Sequence, residues 1–345
     1  MESAAGTTVE DMRNSGATGG PLRWQELLRL AYREPRSLGE QLALPEATVV
    51  AAEASMGAFR LFAPAPYVSR IRPGDPSDPL LLQVWPSPEE TEERPGFLLD
   101  PVGDGEAERR PGVIQKYAGR ALLVLTGACA IHCRYCFRRH FPYAEVPHSL
   151  EQWRPALTEL AADRSIGEII LSGGDPLSLR EEAWQELVEH LAAMPHLRRV
   201  RIHTRWPVVI PQRIDERWLG QLAMLRQPVV VVVHVNHPRE IDASVVQALD
   251  RMRAAGCLLL NQSVLLRGVN DSLDTLADLS ERLLAAGVVP YYLHQLDRVA
   301  GAWHFEVPDE EALRLVEGLR TRLPGYAVPR LVRDEPGQPS KVWLA

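Results

Sequence analysis

An α/β fold built on a largely parallel sheet is what this 345-residue sequence predicts, and three observations predict it. After Gly112, short apolar runs alternate with amphipathic stretches. Several of the runs are continuous and β-branched, Val229-Val-Val-Val-Val233 most plainly, as in parallel strands covered on both faces. The stretches between them are long enough to return the chain by a right-handed helical crossover.

Residues 1–20 are small and polar and read as a disordered tail. Residues 21–111 read as an N-terminal, mainly helical extension. Apolar positions recur at helical spacing from Trp24 to Arg60, and then Pro64, Pro66, Pro73, Pro76, Pro79, Pro86 and Pro88 make a poor helix. Residues 112–300 form the main domain. Its strand candidates are 121–125, 168–171, 200–203, 229–235, 258–265 and 289–296, with helices at 181–193, 242–255 and 275–286. That makes about six β/α repeats, a (β/α)6 arrangement short of the eight of a closed barrel. Residues 301–345 supply a C-terminal helix and a terminal segment. In such folds ligands gather at the C-terminal ends of the strands.

Composition limits the function. The charge of −7 without a long basic run argues against a partner held by its phosphates, so no nucleic acid is expected. No apolar run reaches the ~18–20 residues that span a bilayer, and the first ten residues lack a signal peptide's basic flank and apolar stretch. A cytoplasmic protein without membrane contact is expected, in a compartment that keeps thiols reduced.

Three of the four cysteines fall within eight residues, Cys129-Ala-Ile-His-Cys133-Arg-Tyr-Cys136. Three thiolates this close leave an Fe–S cluster one short of its usual four protein ligands, and an iron without a protein ligand can bind a small molecule. The competing reading is structural zinc completed by His132 or His140, although closed zinc sites often use two separated pairs. Ser172-Gly-Gly-Asp175 follows a buried strand. It is either an ordinary β-to-α turn or a place where backbone approaches a ligand and Asp175 meets an ammonium. Only two of the 38 cationic Lys and Arg residues are lysines, Lys116 and Lys341. Arginine gives charge and a bidentate fork but forms no Schiff base with an aldehyde, so a retained lysine is a candidate for amine chemistry.

The C-x3-C-x2-C loop resembles the radical S-adenosylmethionine (SAM) superfamily. Its surroundings, Thr126 to Tyr143, resemble the lysine 2,3-aminomutase family, and in it the bacterial branch associated with β-lysylation of elongation factor P. The likeness runs in order from about Asp78 to Lys341, through Lys116-Tyr-Ala-Gly-Arg120, Leu171-Ser-Gly-Gly-Asp-Pro176, His234-Val-Asn-His-Pro238, Gln262 to Asp271, and Pro290-Tyr-Tyr-Leu-His-Gln-Leu-Asp297. It implies an open, partial radical SAM barrel with a short C-terminal segment for pyridoxal 5′-phosphate (PLP). It also implies a [4Fe–4S] cluster on Cys129, Cys133 and Cys136, with SAM on the fourth iron. Tyr135, Ser172, Gly173, Gly174, Asp175, His234 and Gln262 fall at SAM-side positions. Lys341 would hold PLP as a Schiff base, while Lys116, Tyr117 and Arg120 meet its phosphate. Arg138 would grip the substrate carboxylate, and Asp297 with Asp334 the ε-ammonium of L-lysine.

The implied reaction is 2,3-amino migration to β-lysine, the (R) enantiomer in this branch. The implied partners are a flavodoxin- or ferredoxin-type electron donor and, functionally, elongation factor P and its ligase. Gln338 and Pro339 replace the glycine run that lysine-catabolising members carry before this lysine, and those members continue further past it. The alternatives are a catabolic lysine or glutamate 2,3-aminomutase, a radical SAM enzyme acting on a macromolecule, and a non-catalytic Fe–S scaffold.

Overall fold

The computed structural model describes residues 22–345, so the tail expected at 1–20 lies outside the described residues. Ten strands form one mixed sheet in chain order. They are β1 (Glu108–Arg110), β2 (Val113–Ile114), β3 (Arg120–Val124), β4 (Glu168–Ser172), β5 (Arg199–Thr204), β6 (Val229–His234), β7 (Leu258–Val264), β8 (Val289–His294), β9 (Arg330–Arg333) and β10 (Val342–Trp343). From β3 to β9 every neighbour is parallel, while β1, β2 and β10 add antiparallel edges. The sheet does not close: β1 and β10 end the order.

Six helices make the crossovers, Leu150–Ala162, Glu181–Ala192, Glu216–Leu222, Ala243–Ala254, Leu273–Ala285 and Asp309–Arg322. Most begin on a side-chain cap, as where Asp242 and Asp215 accept the amides of Val245 and Trp218. The sheet extends past the limits expected for the main domain, because β1 starts at Glu108 and β9 and β10 lie beyond residue 301. The last two are too short to carry a period and follow a helix, so neither announces itself locally.

The proline-rich stretch holds helical turns after all, at Ala65–Val68 and Pro79–Leu82. Proline is tolerated in a first turn, where its missing N–H costs nothing. Asp78 caps the second turn, accepting Leu80 N at 2.9 Å.

Not every parallel strand is apolar on both faces. On β5, Val200 and Ile202 are buried in the core, whereas Arg201 and His203 point into the cavity that Thr204, at the strand's end, also reaches. On β7, Gln262 and Val264 do the same. Period-two alternation therefore separates an apolar convex face from a concave one that mixes polar side chains with Leu122, Ile170 and Val264. The N-terminal helices pack into the same continuous core, which runs from Trp24 to Val288. No helix among the described residues is long and apolar enough to cross a membrane.

Candidate active site

The concave face encloses a cavity of about 770 Å³. All seventeen residues named above as site candidates line it. The cysteine loop follows the C-terminal end of β3, Ser172 to Asp175 that of β4, and Asp297 that of β8. His234 ends β6 and Gln262 lies near the end of β7.

Backbone fixes the cysteine loop against the turn after β4. Gly174 N donates to Thr126 O at 2.6 Å and Asp175 N to Ala128 O at 2.8 Å. Gly173 has φ of 122°, and a Cβ on Gly173 or Gly174 would collide with the carbonyl of Thr126 or Ala128 respectively. The glycines thus seat the loop itself; that is a local reason for them before any ligand arrives. Asp175 is engaged in the same way. Its carboxylate accepts Thr204 Oγ1 at 2.8 Å, Arg205 N at 2.7 Å and Leu177 N at 3.1 Å. Asp175, expected to meet an ammonium, therefore already accepts three protein donors while still lining the cavity.

Burial raises the Cys129 thiol and pushes that of Cys136 up to about 11. Each would surrender its proton on binding a metal, which is the usual linkage for thiolate ligands. Among the described residues no three His, Cys, Asp or Glu side chains converge on a single ion. A polynuclear cluster does not ask them to, since each thiolate takes a different iron. Arg205, one residue past β5, aims Nη1 at Cys133 Sγ at 2.7 Å. Its other Nη holds Gln83 at 2.7 Å and the wholly buried Glu240 at 2.8 Å. Sequence reading missed Arg205, although its place at a strand's C-terminal end was the available signal.

Elsewhere in the cavity Lys341 ion-pairs with Asp334, which also accepts the Tyr117 hydroxyl at 2.8 Å. Burial opposes a charge on Asp334, yet the adjacent ammonium holds its carboxyl well below the usual range. The Lys341 Nζ lies 5.9 Å from the centre of the Tyr292 ring. Asp297 differs. Burial, reinforced by Asp334, pushes its carboxyl up to about 7, and its Oδ1 has no hydrogen-bond partner. His203 and His294 likewise face the cavity with an unpartnered Nε2. Burial lowers His203 and brings His234 and His294 down to about 3, so all three are neutral at pH 7. Buried polar atoms without partners, lining an open volume, are what a polar ligand would satisfy.

Lys116 and Arg138 share one buried carboxylate, Asp104, at 2.6 Å and 2.7 Å. Arg138 also donates to Ser172 Oγ at 3.2 Å. Asp104 comes from the N-terminal extension and carries no recognisable motif.

A family model described as "Radical SAM superfamily" matches residues 123–279. An L-lysine 2,3-aminomutase of Haemophilus influenzae is 44% identical over 93% of this chain and 95% of its own length. That of Escherichia coli is 46% identical over 87% of both chains, and that of Clostridium subterminale 36% identical over 79% of this chain and 65% of its own.

The chain belongs to the lysine 2,3-aminomutase family of radical SAM proteins.

For a member of this family the donor set is chemically apt. Three thiols next to a fixed guanidinium suit an Fe–S cluster, and a lysine amine with hydroxyl and cationic neighbours suits PLP. The orphaned Asp297 oxygen suits a cation.

Proposed function

We propose that this isomerase converts L-α-lysine into (R)-β-lysine by moving the amino group from C2 to C3, and that the product serves modification of elongation factor P. The observation that carries the reading is the coexistence, in one cavity, of the three-cysteine loop with Lys341 and the buried carboxylates Asp297 and Asp334. When bound, a [4Fe–4S] cluster and SAM supply a carbon-centred radical, and PLP carries the migrating nitrogen.

This chain's residues would divide the rest of the work. Cys129, Cys133 and Cys136 hold the cluster, with Arg205 fixing the Cys133 sulfur. Tyr135, Ser172, Gly173, Gly174, His234 and Gln262 shape the SAM side, where Tyr135 stacks on His234 with ring centres 5.7 Å apart. Asp175, fixed by Thr204 and Arg205, belongs to the same wall. Lys341 is the PLP amine; Asp334 keeps it oriented, and Tyr117, Lys116 and Arg120 frame the phosphate. Arg138, held at Nε by Asp104, turns its Nη2 edge to the substrate carboxylate. Asp297 receives the substrate's ε-ammonium, which replaces a buried unpaired acid with a buried ion pair. Neutral histidines add no competing positive charge.

Anaerobic incubation with SAM, PLP, a reductant and a panel of α-amino acids, followed by chiral analysis, tests this. Lysine alone should turn over, giving the (R) product. Exclusive turnover of glutamate would overturn the roles of Asp297 and Asp334. The link to elongation factor P draws on Gln338 and Pro339, in place of a glycine run. It predicts an elongation factor P lacking its β-lysyl mass in a strain without this gene, restored by added β-lysine. An electron donor of flavodoxin or ferredoxin type would deliver the electron.

A further inference from the structure

The N-terminal extension reaches the cysteine loop through one buried carboxylate. Glu90 lies in a 3-10 turn, Pro88–Thr91, and its side chain is only 3% exposed. Arg134, between Cys133 and Tyr135, pairs with both of its oxygens, Nε at 2.7 Å. Arg139, three residues past Cys136, donates Nη2 at 2.6 Å. The Phe59 ring lies against both guanidiniums, at 4.9 Å and 4.7 Å.

Three backbone contacts extend the socket. Arg134 N donates to Gln83 O at 2.8 Å, His132 N to Phe62 O at 3.0 Å, and Arg134 Nη1 to Phe59 O at 2.9 Å.

The same pair reaches the segment after β8. Arg139 Nη1 donates to Gly301 O at 2.8 Å, and Trp303 Nε1 to Glu89 O at 2.9 Å. Gly301 has φ of 85°, and a Cβ there would stand 2.9 Å from Arg139 Nη1 and 3.1 Å from Glu90 O. One carboxylate therefore ties together the extension, the loop that carries the cysteines and the segment that carries Asp297.

We propose that Glu90 is a positioning residue for the iron–sulfur centre: by bridging Arg134 and Arg139 it holds the Cys133–Cys136 half of the loop in its ligating shape. This rests on the cluster reading above. Charge matters as well as shape. Without Glu90 two buried guanidiniums that now meet at one carboxylate oxygen would repel each other, and the loop that carries them would shift.

The test compares Glu90→Gln, which keeps the side chain's size, with wild type after anaerobic reconstitution. The readouts are iron and sulfide per chain, the rate of iron loss to a chelator, the electron paramagnetic resonance of the reduced centre with and without SAM, and the melting temperature of the iron-free protein. Expected are a folded variant, chelator loss at least tenfold faster, and an altered response of the resonance to SAM. A purely structural ion pair would lower the melting temperature of the iron-free form and leave the loss rate and the resonance of loaded protein as in wild type; that result overturns the proposal. Should Glu90→Gln fail to fold, Arg139→Gln leaves the Glu90–Arg134 pair intact and should raise the loss rate less; an unchanged rate again overturns it. Wild-type protein that takes up no iron sinks the cluster reading, whereas a wild-type-to-variant ratio of one sinks only the role of Glu90.

Discussion

Asp297 is a buried acid with one oxygen unpaired, and its folded pKa stands near 7, well above that of an exposed aspartate. A raised carboxyl favours the folded state when protonated. The contribution is whole below about pH 4 and is lost as pH rises through about 7, because there the unfolded chain holds fewer protons than the native one. In ligand-free protein, urea midpoints should therefore fall between pH 5 and pH 8 in wild type and fall less in Asp297→Asn. The variant should be the more stable of the two at pH 8, by on the order of 2–4 kcal/mol. A steeper fall in the variant would contradict this. Lysine binding reverses the balance, since the ε-ammonium stabilises the ionised acid. The KM for lysine should accordingly decrease from pH 6 to pH 8. Lys341→Ala removes the amine that meets the PLP aldehyde; turnover should drop by roughly a thousandfold or more, together with the visible absorbance of the bound cofactor. Retained absorbance in that variant would reassign the amine to Lys116, the chain's other lysine.

Elements carry two further outcomes. The turn after β4 sits so close to the cysteine loop that Gly174→Ala must push the two apart. The cost should be roughly 1–3 kcal/mol in denaturant unfolding, with iron uptake reduced more than stability. Normal iron content in a destabilised Gly174→Ala protein would separate the turn from the cluster. The other element is the antiparallel pair β9 and β10, in which Val342 stands opposite Arg333. Asp334 leaves the first strand and Lys341 enters the second, so strand register brings acid and amine together. Removing residues 342–345 deletes β10 and should weaken PLP binding roughly tenfold or more, by loss of preorganisation. Helix content should stay unchanged, and an undiminished PLP affinity would show that the register is dispensable.

At the scale of the whole molecule, the extension, the sheet and the terminal pair share one cavity. Asp104 comes from the first, the cysteines from the loop after β3 of the second, Asp334 and Lys341 from the third. The main core, from Trp24 to Val288, joins the extension to β2–β7, and two smaller clusters pack beneath the C-terminal part of the sheet and beside the cysteine loop. Unfolding should therefore be a single cooperative transition followed by calorimetry. Two resolved transitions would mean that the extension folds apart from the sheet.

Local chemistry determined what could be read without coordinates. Val229 to Val233 had to be a covered strand, three cysteines in eight residues had to point at metal, and a chain with two lysines singled out Lys341. Those signals are short-range, carried by neighbours along the chain. Tertiary structure alone decided the rest. It spent Asp175 on Thr204 and Arg205, set Arg205 on Cys133, and placed Asp104 and Glu90 as shared counter-ions for cations far along the chain. It also turned Arg201 and His203 into the cavity that the neighbouring strands share. A buried charge finds its partner by distance in space and by loss of water, and sequence spacing records neither.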